Sequence, residues 1–358
     1  MRIAFDVSPL SHERTGVNNY IRGSLAGLAE AAVREGHEVV AFAPTSPAGG
    51  RIIPEALAGI PVELRLVRLP GAHGWRTAWS RLGRPAAECW LGSFDVLHFT
   101  DWMYPPQRAG LRATTIHDLV PLHFPQWVTG RTRAMHARKY ANAARTCDVM
   151  FANSAFTADD VAATLGFPRE RVVVAHPGVG AEFGPEGEAA ELPSPYLLTV
   201  ATLEPRKNLG TLARAHALLP DTGLALAVVG GEGWGLQPEL DRPDVLRLGR
   251  VSDEELARLY RGAAAVVYPS RFEGFGMPIT EAMASGAAVV ASAHPSMDEA
   301  CGDAAVRADP ERPEAIAAAI REALDRHDEL RGLGLAHARS FSWARTGELF
   351  LEGYLRFS

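Results

Sequence analysis

Short, β-rich apolar runs alternate with longer Ala/Leu/Arg-rich helical stretches from end to end of this chain, and that alternation sharply limits the folds open to it. In the first half the strand candidates are "RIAFDV", "HEVVAFA", "VELRLVRL", "DVLHFT", "RATTIHD" and "DVMFANS", with helical segments at 20–34 and 130–145 among those between them. In the second half come "YLLTVA", "LALAVVG", "VLRLG", "AAVVYPS" and "AAVVAS", again interleaved with helices. Continuous apolar strands separated by helices indicate parallel sheets covered on both faces. Two successive runs of this kind predict an α/β protein with two Rossmann-like domains. At 358 residues the chain is long enough for two such domains, each with its own core. The boundary falls in "HPGVGAEFGPEGEAAELPSP" (176–195), dense in Pro, Gly and Glu, which reads as a linker. The predicted domains are therefore 1–178 and 179–340, with a final helix, 341–358, crossing back onto the first.

The formal net charge of −6 argues against nucleic acid as a partner, since phosphate-backbone binding normally requires a basic domain. Cys89, Cys147 and Cys301 are isolated and form no metal pattern, as expected of reduced thiols in a cytosolic protein. The opening "MRIAFDVSPL" runs straight into a strand, so a secretory signal is not expected. No apolar run reaches bilayer length, so any membrane contact would be peripheral.

Ligands of open α/β sheets bind beyond the carboxyl ends of the strands, which directs attention to the residues that follow each strand. After the first strand comes "SPLSHERTGVNNY", with Gly16 before a helix; after "RATTI" come His117 and Asp118. After "YLLTVATL" come Arg206 and Lys207, two adjacent cations near a helix start that would suit a diphosphate. Their bland reading is a solvated helix end. "GGEGWG" (230–235) lacks proper dinucleotide spacing and an acidic partner, and a plain turn explains it equally well. His117 could be a general base, a donor to a sugar hydroxyl or a buried structural histidine, and Asp118 could fix its tautomer or touch substrate.

The stretch "SRFEGFGMPITEAMASG" (270–286) places Glu273 and Glu281 around a glycine-rich bend. Pro278 suits a first helical turn, which would hold Glu281 while Glu273 stays on the preceding loop. Gly274 and Gly276 let the backbone approach a ligand. A favourable helix dipole for Glu281 and a solvated loop position for Glu273 are the bland readings. The sequence contains no Asp-x-Asp motif, so no divalent metal is invoked and none is expected as a cofactor. Arg206, Lys207 and helix amides would instead neutralise a leaving phosphate.

"FEGFGMPITEAMASG" resembles the E-x7-E signature of retaining GT-B glycosyltransferases, specifically family four. "TLEPRKNLGTLARAHALL" is similar to that family's R-K-N phosphate-binding segment, "GRVSDEELARLYRGAAAVVYPS" to the stretch before the signature, and "ANSAFTADD" to the last strand–helix turn of its first domain. The first loop carries "RTGVNNY" where family members often show a double glycine. The resemblance implies a GT-B fold, two Rossmann-like domains whose sheets face a central cleft, and transfer of a sugar from a nucleotide diphosphate sugar with retention of configuration. It further implies that Glu273 contacts the donor sugar and Glu281 the ribose hydroxyls. Arg206 and Lys207 would hold the diphosphate, and Gly274, Phe275, Gly276, Met277, Pro278 and Ile279 would line sugar and phosphate through their backbones. Arg250 and Val251 would meet the base, His117 would reach the reacting centre, and Gly16 would approach phosphate or acceptor. GDP-mannose is the first expectation for the donor, with UDP- and dTDP-sugars as alternatives. The acceptor is expected to be a glycan, a lipid-linked sugar or a small molecule, contacted in part by Asp118.

Two segments, "HGWRTAWSRLGRPAAECW" (73–90) and "RTRAMHARKYANAAR" (131–145), interleave Arg, Lys and Trp and could face anionic lipid or a lipid-linked diphosphate. A solvated helix face is the bland alternative. A sugar-nucleotide epimerase, a two-lobed sugar-binding protein and a dehydrogenase are the rival readings.

Overall fold

In a computed structural model, which describes residues 1–12, 15–100, 102–231, 233 and 238–358, the chain divides into two compact units. Unit 1 comprises Met1–Gly178 and Ser342–Ser358; unit 2 comprises Val179–Phe341.

Unit 1 is built on strands β1 (Arg2–Asp6), β2 (Glu38–Thr45), β3 (Glu63–Arg68), β4 (Val96–Phe99), β5 (Leu111–Ile116), β6 (Val149–Ala152) and β7 (Val172–Val174). They pair in the order β3-β2-β1-β4-β5-β6-β7, every pairing parallel. Unit 2 carries β8 (Tyr196–Val200), β9 (Ala225–Val229), β10 (Val245–Gly249), β11 (Ala265–Tyr268), β12 (Val289–Ser292) and β13 (Ala305–Ala308), in the order β10-β9-β8-β11-β12-β13 and again all parallel. Strands such as β4, β5, β9 and β12 are buried along their whole length, which is what a continuous apolar run covered on both faces requires.

In unit 1 the helix Gly16–Arg34 starts where the Thr15 hydroxyl accepts the Asn18 amide. It buries Tyr20, Ile21, Leu25, Leu28, Ala31 and Ala32, an apolar stripe at helical spacing. The final helix, Trp343–Phe357, packs directly on it. Gly27 and Gly347 make the approach: a Cβ on Gly27 would lie 1.8 Å from the Trp343 carbonyl oxygen, and one on Gly347 would lie 1.9 Å from the Gly27 backbone. From the same helix Tyr354 meets His98 of β4, with Oη 2.7 Å from Nδ1, while His98 Nε2 lies 3.0 Å from the Thr115 hydroxyl.

Two expectations are corrected here. The stretch 176–195 is not an unpacked linker: Phe183 and Ala190 join the core of unit 2, Phe183 meets Tyr260 edge-on, and the Ala190 amide donates to the Arg258 carbonyl. The tryptophans of 73–90 are not laid out for lipid either. Trp75, Trp79 and Trp90 pack on one another with centroids 5.0–5.3 Å apart, Trp79 is core, and Arg76 and Lys139 are buried. Arg131, Arg133, Arg138 and Arg145 keep the exposed positions. Cys147 and Cys301 are buried and Cys89 exposed, all three as free thiols. Among the described residues no helix is long and apolar enough to cross a membrane.

Candidate functional site

The strand order of unit 2 reverses between β8 and β11, and the loops leaving those two neighbours are tied together. After β8 the chain makes a 3-10 turn, Pro205–Lys207, followed by Asn208 in the left-handed region at φ 58. Asparagine tolerates that conformation better than other side chains. Its Nδ2 also donates to the Pro269 and Pro310 carbonyls, at 3.2 and 2.6 Å, which pins the turn against the end of β11. The Arg271 amide donates to the Arg206 carbonyl at 2.9 Å from the other side.

This bracing presents both Arg206 and Lys207 to the Glu273 carboxylate. Arg206 Nη1 lies 2.6 Å from one oxygen of Glu273 and Lys207 Nζ 2.7 Å from the other. The Ser270 hydroxyl donates to Glu273 at 2.5 Å, and the Glu273 amide donates to the Ser296 hydroxyl. Lys207 also donates to the Tyr268 hydroxyl at 2.9 Å. Neither bland reading survives: Glu273 is 7% exposed, and the Arg206 and Lys207 side chains are only 17% and 13% exposed. Burial opposes ionisation of Glu273, but Arg206, Lys207 and the hydrogen bonds outweigh it and hold the carboxyl at about 2. Burial lowers the Lys207 ammonium from its ordinary value, with Glu273 opposing. The two cations thus share the Glu273 carboxylate at the switch point of the sheet, and Arg206 Nη2 also lies 3.9 Å from an oxygen of Glu204.

The helix Met277–Ala284 follows, with Gly276 at its N-cap at φ 104, a conformation that disfavours any side chain. Pro278 is the second helical residue. Glu281 is therefore the fifth, beyond the first turn where it was expected, so the dipole alone does not account for it. It is 7% exposed and accepts a hydrogen bond from the Tyr260 hydroxyl at 3.3 Å. The side chains of Phe275 and Ile279 belong to the apolar core, so a ligand could meet these residues only through their backbones. Gly274 and Gly276 are buried, Met277 and Pro278 half-buried, Arg250 exposed, and Val251 half-buried against the core. Of "GGEGWG", Glu232, Trp234 and Gly235 lie outside the described residues.

The remaining candidates belong to unit 1. His117 follows β5 with its Nε2 buried and without a hydrogen-bond partner, and its ring edge-on to Tyr20 at 5.0 Å. Burial first, then the charges of Lys139 and His136, push it down to about 3, so it is neutral at physiological pH. The Asp118 carboxylate accepts the Val120 amide at 3.0 Å and so closes the turn into the next helix. Gly16 is the first residue of its helix, and a Cβ there would meet open space, so no packing within the protein demands a glycine. Ser270, Tyr268 and Ser296 were not singled out in the sequence, and Asn208 entered only as the third residue of the R-K-N segment. The first two flank Pro269 immediately before the signature, which is the one local signal for them.

Comparison with known proteins gives the family. A model described as glycosyltransferase family 4 matches residues 17–183, and one described as glycosyl transferases group 1 matches 185–334. O-antigen chain mannosyltransferase B of Escherichia coli is 31% identical, with the alignment covering 99% of either chain. The chain belongs to the family 4, group 1 glycosyltransferases. D-inositol 3-phosphate glycosyltransferase 1 of Catenulispora acidiphila is likewise 31% identical, over 95% of this chain and 90% of its own. Among solved structures, sucrose-phosphate synthase from Thermosynechococcus elongatus superposes with a TM-score of 0.74 at 19% identity, covering 99% of this chain and 98% of its own. Anabaena HepE in complex with UDP-glucose gives 0.70 at 17%, covering 99% and 100%. These similarities give the GT-B fold and glycosyltransferase activity, and they favour none of the epimerase, binding-protein or dehydrogenase readings.

Proposed function

We propose that this family 4 glycosyltransferase moves a hexose, mannose first among candidates, from a nucleoside diphosphate sugar to a glycan or lipid-linked acceptor, with retention and without a metal ion. The observation that carries the reading is the Arg206–Lys207–Glu273 arrangement at the β8/β11 switch point. A diphosphate arriving there would draw on both cations, which then neutralise charge as the bond from the anomeric carbon to the phosphate oxygen breaks. The acceptor hydroxyl forms the new bond on the same face and passes its proton to the departing phosphate. Glu273, ionised and fixed by three donors, would engage the donor sugar. Glu281 would accept the ribose hydroxyls, and backbone groups of Gly274–Ile279, with Arg250 and Val251, would complete the donor contacts. Neutral His117, with its unpartnered Nε2, fits a hydrogen bond to a sugar hydroxyl, with Gly16 leaving room for phosphate or acceptor and Asp118 contributing on the acceptor side. Mannose rests on the Escherichia coli relative, named a mannosyltransferase, and GDP is therefore the first nucleotide to try. UDP and dTDP come next, the Anabaena structure holding UDP-glucose. Exposed Arg131, Arg133, Arg138 and Arg145 support peripheral contact with an anionic membrane from the cytoplasmic side.

A thermal-shift panel of GDP, UDP, dTDP and NADH in EDTA, on the native chain and Glu281→Ala, tests the reading. A ligand that binds only the folded state raises stability with concentration. One nucleoside diphosphate should stabilise the native chain and lose its effect in Glu281→Ala. A shift with NADH alone, or none, refutes it.

A further inference from the structure

The sheet of unit 1 has its own reversal of strand order, between β1 and β4. The carboxyl ends of such a pair are where an open parallel sheet takes a ligand. Five side chains outside the proposed donor site gather there. His12 follows the turn after β1 and Trp102 lies just past β4; His73 and Arg76 come from the helix Ala72–Leu82, and Arg131 from the helix Gly130–Thr146. The two basic, aromatic segments of the sequence therefore meet at one place.

Arg76 is the buried member of the group. It is 2% exposed, its guanidinium sits 5.3 Å from the Trp102 ring centroid, and its Nη2 lies 3.2 Å from His12 Nε2. Among the described residues its buried Nε has no hydrogen-bond partner. His73 leans on the same Trp102 ring at 4.8 Å, and its Nε2 lies 3.1 Å from Nη2 of Arg131, which is exposed. Each histidine nitrogen faces a guanidinium, which only donates, so each must accept and the rings stay neutral. Burial, then Arg76, hold both below the ordinary histidine value. Asp6 lies close enough for Arg76 to favour its charged form, yet its oxygens are taken by Ser8 and Thr100. Among the described residues neither Arg76 nor Arg131 has a carboxylate at ion-pair distance. A buried guanidinium with an unused N–H and no ion pair among the described residues is costly, and an incoming anion relieves that cost.

We propose that this cluster binds the phosphate group of a phosphorylated acceptor. Phosphate offers several oxygens to two planar guanidiniums, a geometry that favours it over a single point contact. The inference rests on the glycosyltransferase reading, which supplies the need for an acceptor. It adds the acceptor's chemical class.

The test uses the full chain saturated with the nucleoside diphosphate chosen by the thermal-shift panel, so that Arg206 and Lys207 are occupied. Mannose 1-phosphate, farnesyl diphosphate and mannose are then titrated by calorimetry into the native chain, Arg131→Gln and Arg76→Lys. Binding of a phosphorylated probe but not mannose, weakened about tenfold by Arg131→Gln at unchanged melting temperature, supports the proposal. Mannose 1-phosphate alone points to a soluble sugar phosphate, and farnesyl diphosphate to a lipid-linked one. Equal binding of mannose, no binding of either phosphate, or affinities untouched by both variants overturns it while the donor site stands. A purely structural Arg76 would lower the melting temperature of Arg76→Lys and leave the titrations unchanged. Failure of every nucleoside diphosphate to bind removes the glycosyltransferase reading and this inference together.

Discussion

Glu273 carries opposite obligations towards its two neighbours and towards a donor. Its negative charge holds Arg206 and Lys207 in place, and that same charge repels a diphosphate approaching them. Glu273→Gln should therefore bind the free nucleoside diphosphate at least as tightly as the native chain, while sugar transfer falls by about a hundredfold or more. Parallel loss of nucleotide binding and transfer would instead make Glu273 a brace for the turn. The sequence made the three residues visible one at a time, through adjacent cations and a glycine-flanked carboxylate. Their direct pairing was hidden, because it spans 66 and 67 positions and depends on β8 and β11 being neighbours in the sheet. Asn208 was hidden for a different reason: its value lies in a backbone angle and two carbonyl partners that no spacing rule announces.

Elements were more legible than contacts. Eleven runs became strands, most of them apolar enough to be covered on both faces, whereas β3 lies at a sheet edge with no buried residue. The two that escaped, β7 and β13, are the three-residue "VVV" and the half-buried "AVRA", both at sheet edges. The stretch 176–195 misled because composition cannot show Phe183 and Ala190 finding a core. The final helix was legible through its large apolar side chains, whereas the glycines that let it settle were not. Gly27→Ala puts a methyl group into a backbone carbonyl and should cost at least ~2 kcal/mol in urea unfolding. Gly332→Ala, where a Cβ meets open space within the helix His327–Ala338, should instead stabilise by up to ~1 kcal/mol. Equal effects at the two positions would show that the contact yields.

At the scale of the whole molecule the two units should differ in acid. Histidines held below their ordinary value are neutral when folded and take up protons on unfolding, so stability falls as pH drops below 6.5 towards each lowered value. Unit 1 has five among the described residues: His12, His73, His98, His117 at about 3 and His136 at about 4. Unit 2 has His294. The contribution of Glu273 has the other form, present above 4.5 and lost only as pH falls towards about 2. Hydrogen exchange followed from pH 7 to 4 should therefore open unit 1 first; earlier opening of unit 2 would contradict the assignment.

The helix Trp343–Phe357 belongs to unit 1, although all of unit 2 precedes it in the chain. During synthesis, unit 2 has its full complement of residues while unit 1 still lacks the helix that covers Gly27, Phe151 and Tyr20. The half that begins to be made first is thus the last to be finished. Until residues 342–358 emerge it carries an open apolar groove, one that a chaperone could hold or a neighbouring nascent chain could invade.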